Sequence, residues 1–82
     1  MADYLIIWVD YAKDQYLALD PDTTARIDDR VRQLAADPKA DAHYDPGTDR
    51  WSADFDSGDG FLLYLVNDDN RRVVILRVIH LS

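Results

Sequence analysis

Arg50-Trp51-Ser52-Ala53-Asp54-Phe55-Asp56-Ser57-Gly58-Asp59-Gly60 runs into Phe61-Leu62-Leu63-Tyr64-Leu65-Val66. After a polar break comes Arg72-Val73-Val74-Ile75-Leu76-Arg77-Val78-Ile79-His80. In the first run Trp51, Ala53 and Phe55 alternate with Ser52, Asp54 and Asp56, which predicts a half-buried strand with one wet face. Ser57-Gly58-Asp59-Gly60 is a turn. Phe61–Val66 is apolar on both faces, which predicts a strand at the centre of a sheet. Asn67-Asp68-Asp69-Asn70 has the residues of a hairpin turn, all tolerant of positive φ. Strict alternation along the third run puts Arg72, Val74, Leu76, Val78 and His80 on one face. Val73, Ile75, Arg77 and Ile79 fall on the other. Three consecutive strands with short breaks predict an antiparallel meander.

Upstream, Tyr4-Leu5-Ile6-Ile7-Trp8-Val9 is a continuous apolar run and predicts a strand buried on both faces. Asp10 is placed to cap a short helix over Tyr11–Leu19, with Ala12, Tyr16 and Leu19 at helical spacing. Asp20-Pro21 starts a second helix, with Asp at the N-cap, Pro in the first turn and Asp22 behind it. Its apolar stripe is Ile27, Val31 and Leu34, and Asp37-Pro38 stops it. Pro38–Asp49, with two prolines and a glycine, predicts a loop between the helical and strand halves. The predicted order is β-α-α-β-β-β: an α+β fold whose antiparallel-rich sheet is covered on one face by two helices.

The 82 residues suit one small domain, 1–82. Nearly half are hydrophobic, enough for one core. There is no cysteine, which excludes disulfides and a cysteine zinc site. Met1-Ala2-Asp3 carries no basic segment, and the first apolar run is too short for a signal sequence or a membrane span. A soluble, cytoplasmic protein with no membrane contact is expected. All sixteen acidic residues are Asp, and against nine Lys plus Arg they leave a net charge of −7. That field repels phosphate backbones and suits a basic partner surface. Solubility or adaptation to salt explains it equally simply.

The order and spacing of these segments resemble the RelE/ParE toxin superfamily. Gly58-Asp59-Gly60-Phe61-Leu62-Leu63-Tyr64 is similar to that family's Gly-Asp-Tyr-Arg-Val-hydrophobic-Tyr segment. Val74–His80 is similar to its last core strand, which often ends in His followed by Arg or Tyr. Pro38 stands where the family commonly has a proline. The resemblance implies the toxin of a type II toxin–antitoxin system, with a cognate antitoxin as partner. It further implies either ribosome-bound mRNA or DNA gyrase as target.

Ribosome-dependent mRNA endonucleases of this family are expected to place Arg, Lys, His or Tyr on the concave sheet face. RNA cleavage needs a base for the 2′-hydroxyl, cations for the transition-state charge and an acid for the leaving oxygen. Here the basic pair expected after the tryptophan is Ser52 and Asp54. The arginine expected after the Gly-Asp pair is Phe61, and Leu81 follows His80. The resemblance therefore implies weak or absent mRNA cleavage. The residues left as candidates are His80 and Arg50 for catalysis, and Arg77 and Tyr64 for substrate binding. A histidine suits acid or base work, because the unperturbed imidazole changes charge near neutral pH. Each also has a plainer reading: an idle strand-end histidine, a solvated arginine, an arginine paired with an Asp, and a core tyrosine with a satisfied hydroxyl.

Asp54-Phe55-Asp56-Ser57-Gly58-Asp59 superficially matches a calcium loop but lacks the downstream Glu and flanking helices. His43 with Asp41 and Asp45 lacks a second His, and reads as surface decoration. No cofactor or metal is expected. The alternative to a toxin is a non-catalytic acidic protein-binding module on the same scaffold, motivated by Ser52, Asp54, Asp56 and Asp59.

Overall fold

The computed structural model describes residues 3–81. The elements are β1 (Leu5–Trp8), α1 (Asp10–Leu17), α2 (Pro21–Ala36), β2 (His43–Asp45), β3 (Arg50–Phe55), β4 (Gly60–Asn67) and β5 (Arg72–His80). A 3-10 turn, Asp56–Gly58, joins β3 to β4. The strands lie in the order β1-β5-β4-β3-β2. β1 runs parallel to β5, and every other pairing is antiparallel. The fold is α+β, and the β3-β4-β5 meander is present with β4 at its centre.

Pro21 opens α2 with Asp20 at the N-cap. The Asp20 carboxylate accepts the Thr23 hydroxyl at 2.5 Å, and Thr23 is itself buried. This contact, first among the causes, holds the Asp20 carboxyl below its usual range. α1 differs slightly from its predicted bounds. Val9 is its N-cap, and Asp10 is the first helical residue, where its charge faces the positive end of the helix.

Ile27 and Leu34 of α2, Ala12 of α1, and Leu62, Tyr64, Val73 and Ile75 of the sheet have no exposed surface. Burying side chains of the Leu or Ile type stabilises by about 1.5–3 kcal/mol each. The Tyr64 hydroxyl donates to the Pro38 carbonyl at 2.7 Å, so the chain leaving α2 is tied to the central strand. Burial pushes the Tyr64 phenol up to about 12.

Three expectations are corrected. β1 is not buried on both faces: Leu5 is 55% exposed and Ile6, Ile7 and Trp8 are half-buried. It is an edge strand with one neighbour, and its continuous apolar run gave no sign of that. The Pro38–Asp49 connection is not all loop, because His43–Asp45 pairs with β3. Three exposed residues show no alternation to read. What holds them is cross-strand packing: the Tyr44 and Trp51 rings lie 4.9 Å apart, and the Tyr44 hydroxyl donates to Asp49 at 2.6 Å.

The third correction concerns β5. Leu63 pairs with Arg77, but Tyr64 pairs with Ile75, so Leu76 is an extra residue in the ladder. This β-bulge breaks strict alternation. Val73 and Ile75 face the helices before it, and Val78 and His80 face them after it. Past the bulge, α1 replaces β1 along the open edge of β5: the Val78 amide donates to Gln15 Oε1 at 2.9 Å.

The Asp-rich composition has a local role in the turns. Asp41, Asp49 and Asp56 all sit at positive φ, as do Ser57 and Gly58. A short carboxylate tolerates this backbone better than a longer side chain.

Candidate functional site

The sheet has one covered and one open face. Trp51, Ala53, Phe55, Leu62, Tyr64, Val73, Ile75 and Val78 are turned toward the helices. The alternate residues form the open face: Arg50, Ser52 and Asp54 on β3, Phe61, Leu63 and Leu65 on β4, and Arg72, Val74, Arg77 and Ile79 on β5. Register places them in rows. His43, Ser52, Leu63 and Arg77 make one row across four strands, and Asp54, Phe61 and Ile79 the next.

The four candidate residues do not converge. Arg50 and Arg77 lie on the open face. Arg50 stands directly across the ladder from Asp45. Arg77 rests with its guanidinium carbon 5.8 Å from the centre of the Tyr11 ring, a cation–π contact in place of the expected Asp partner. Tyr64 is in the core. His80 is on the covered face, because it pairs with Gly60 and its ring stacks on Phe55 at 6.0 Å between centroids.

His80 belongs to a structural cluster. Its Nε2 lies 3.4 Å from Asp56 Oδ2, and the other Asp56 oxygen meets Arg26 Nε of α2 at 3.0 Å. Phe55 lies flat over Gly60: a Cβ there would stand 2.3 Å from the Phe55 Cζ. Glycine at position 60 lets the ring cross the strand and reach His80.

Ser52, Asp54 and Phe61 do meet on the open face, with Asp54 directly opposite Phe61. The surroundings are acidic. A hollow of about 440 Å³ beside Phe61 is lined by Asp41, Asp54, His43 and Ser52 among others. A second, of about 460 Å³, lies where Leu65 and Val74 meet Asp49, Asp68 and Asp69. Such a surface attracts cations and apolar groups and repels phosphate.

His43 is the residue the sequence reading underrates. β2 carries it onto the open face opposite Ser52, and only the existence of β2 reveals that. The calcium-like carboxylates diverge: Asp54 faces the open side while Asp56 turns back to Arg26. No cluster of three His, Cys, Asp or Glu able to hold a metal occurs among the described residues.

A smaller network fastens the far end. Asp68 accepts from Lys39 Nζ at 2.8 Å and from the Tyr4 hydroxyl at 2.7 Å. Lys39 first and Tyr4 second hold the Asp68 carboxyl below its ordinary value. The connection after α2, the start of β1 and the β4–β5 turn are thereby joined.

This two-helix, five-strand architecture with one open sheet face matches that of solved toxins. The chain carries the RelE/ParE-like toxin superfamily fold. The toxin–antitoxin complex RelBE2 from Mycobacterium tuberculosis contains a chain matched at TM-score 0.83 and 26% identity, over 95% of this chain and 98% of that one. The intact RelBE toxin–antitoxin complex of E. coli matches at TM-score 0.83 and 18% identity, over 96% and 98%. The YoeB/ParE toxin from Agrobacterium tumefaciens matches at 0.79 and 18%, over 93% and 96%. No family model and no curated protein matches the chain. No helix among the described residues is long and apolar enough to cross a membrane.

Proposed function

We propose that this chain is the toxin component of a type II toxin–antitoxin pair, with mRNA-cleaving activity weak or absent. The observation that carries the second half is local. Ser52, Asp54 and Phe61, the positions where the resemblance expects cations, cluster on the open face and offer none. Asp54 in place of a cation changes the local charge by two units and opposes RNA binding. Arg50, Arg72 and Arg77 are the cations an approaching phosphate would still meet. His80 and Tyr64 are engaged in holding the fold. The toxin half is supported by the match to chains solved in toxin–antitoxin complexes.

In this reading the partner is a cognate antitoxin and the site of action is the cytoplasm. With cleavage weak, DNA gyrase becomes a target to set beside ribosome-bound mRNA. Induced expression is expected to arrest growth, and co-expression of a small protein encoded next to it to relieve the arrest. No arrest, together with no binding between the two proteins, would overturn the reading. The non-catalytic binding module is the second reading, and the apolar floor of the open face favours it.

A further inference from the structure

We propose that the open face of the sheet is a docking surface for a basic amphipathic helix of a partner protein. The inference goes beyond the toxin reading, because it holds equally for a toxin and for a pure binding module.

The floor of this face is apolar. Phe61, Leu63 and Leu65 of β4 lie beside Val74 and Ile79 of β5, all half-buried. α2 packs on the other side of the sheet, and α1 packs there and along the β5 edge, where Tyr11 reaches the margin of this face at Arg77; their apolar stripes do not cover this band. α1 meets the covered face through Tyr16, whose ring lies 5.1 Å from that of Trp8. α2 meets it through Ile27 and Leu34. A continuous apolar strip across two central strands is the kind of surface that a partner covers.

Charge identifies the partner. The two acid-lined hollows sit at opposite ends of the strip, one beside Phe61 and one beside Leu65. Asp41 and Asp54 line the first; Asp49 and Asp69 line the second, together with Asp68, which already holds Lys39. Phe61 and Leu65 are four residues apart on one strand, a separation of about 13 Å. On a helix rising 1.5 Å per residue, that span is about eight or nine residues. A helix with Arg or Lys at i and i+8, and apolar residues at i+4 and its neighbours, puts a cation in each hollow and its stripe on Phe61 and Leu63.

A helix is favoured over an added strand. The backbone groups of β4 are already paired with β3 and β5, so a partner on this face meets side chains only. Nucleic acid is disfavoured, since the same carboxylates that attract Arg repel phosphate. The three arginines on the face do not reverse this. Arg50 stands opposite Asp45, Arg72 lies at one end of β5 opposite Asn67, and Arg77 is drawn to the margin over Tyr11.

The test uses the full chain and a fluorescein-labelled helical peptide of about 18 residues with Leu and Phe on one stripe. Arg stands at two positions eight apart; a matched peptide has Glu there, and a short single-stranded RNA is a third probe. Fluorescence anisotropy reads the affinity. The Arg peptide is expected to bind at least about tenfold tighter than the Glu peptide, and to weaken as salt rises. Asp54→Lys and, separately, Asp69→Lys should each weaken it by about tenfold. Both residues are exposed, so the variants keep the fold, checked by circular dichroism. Equal affinity for the two peptides, no binding of either, or indifference to both substitutions would overturn the proposal. So would tighter binding of RNA than of the Arg peptide.

Discussion

Leu62 and Leu63 are neighbours on one strand and look alike in the sequence, yet they belong to two different surfaces. Leu62 is sealed between the sheet and the helices with no exposed area. Leu63 looks out between Ser52 and Arg77 on the open face. The covered face is shaped by packing, where shape and volume decide the residue. The open face is shaped by charge and by whatever lies against it. The same β4 therefore carries a packing constraint on its even-numbered residues, while its odd-numbered residues lie on the open face.

The widest separation should come from truncating the two leucines. Leu62→Ala is expected to cost about 2–5 kcal/mol, because it opens a cavity in a closed core. Leu63→Ala should cost about 1 kcal/mol or less. Urea denaturation of both variants measures the contrast, and equal losses would erase the distinction between the faces.

Gly60 offers a second, smaller break. Gly60→Ala drives a methyl into the Phe55 ring and should cost about 1–3 kcal/mol. Combined with Phe55→Leu, which clears the ring away, the added alanine should cost measurably less than it does alone. A double-mutant cycle with no coupling would mean that the ring does not constrain the glycine.

Tyr64→Phe tests the buried hydroxyl. It leaves the Pro38 carbonyl without its donor and should cost about 1–3 kcal/mol at neutral pH. The pH dependence has a definite sign. Burial raises the folded phenol from 10.0 to about 12, so the unfolded chain ionises first. The stability is fully present below pH 10 and is lost as the pH rises through about 12. Phenylalanine has no proton to lose, so the variant should show a flatter profile across that window.

The acid side is governed by exposed groups, with a smaller effect. Asp68 has a folded value lowered below 3.8, chiefly by Lys39. Its contribution is present above the ordinary carboxylate range and disappears as the pH falls through the lowered value. Asp68→Asn should make acid unfolding less steep there, and salt should diminish the difference from wild type. Least of all, Asp54→Lys on the open face should leave stability within about 0.5 kcal/mol, as read by thermal melting.

The same contrast explains what the sequence reveals. Alternation in Arg50–Phe55 and the unbroken apolar run in Phe61–Val66 report burial directly, so the meander and the helix stripe at Ile27 and Leu34 are legible. The bulge at Leu76 is not, because an extra residue in a ladder leaves no mark on an apolar run. Nor is β2, whose three exposed residues are held by the Tyr44–Trp51 packing. These two features decide the site. The bulge turns His80 toward the helices and leaves Arg77 outward, and β2 brings His43 beside Ser52. Side-chain identity at Ser52, Asp54 and Phe61 is visible from the start; their common face becomes certain once the register is known.

The most direct test of the account is ribosome-dependent mRNA cleavage by the purified chain, beside a Ser52→Lys, Asp54→Lys, Phe61→Arg variant. The account predicts little or no cleavage by the wild type, because Ser52, Asp54 and Phe61 supply no cation where the resemblance expects them, and a gain in RNA binding by the variant. Efficient cleavage by the folded wild-type protein would contradict it, and would show that Arg50, Arg77 and their neighbours suffice for the chemistry.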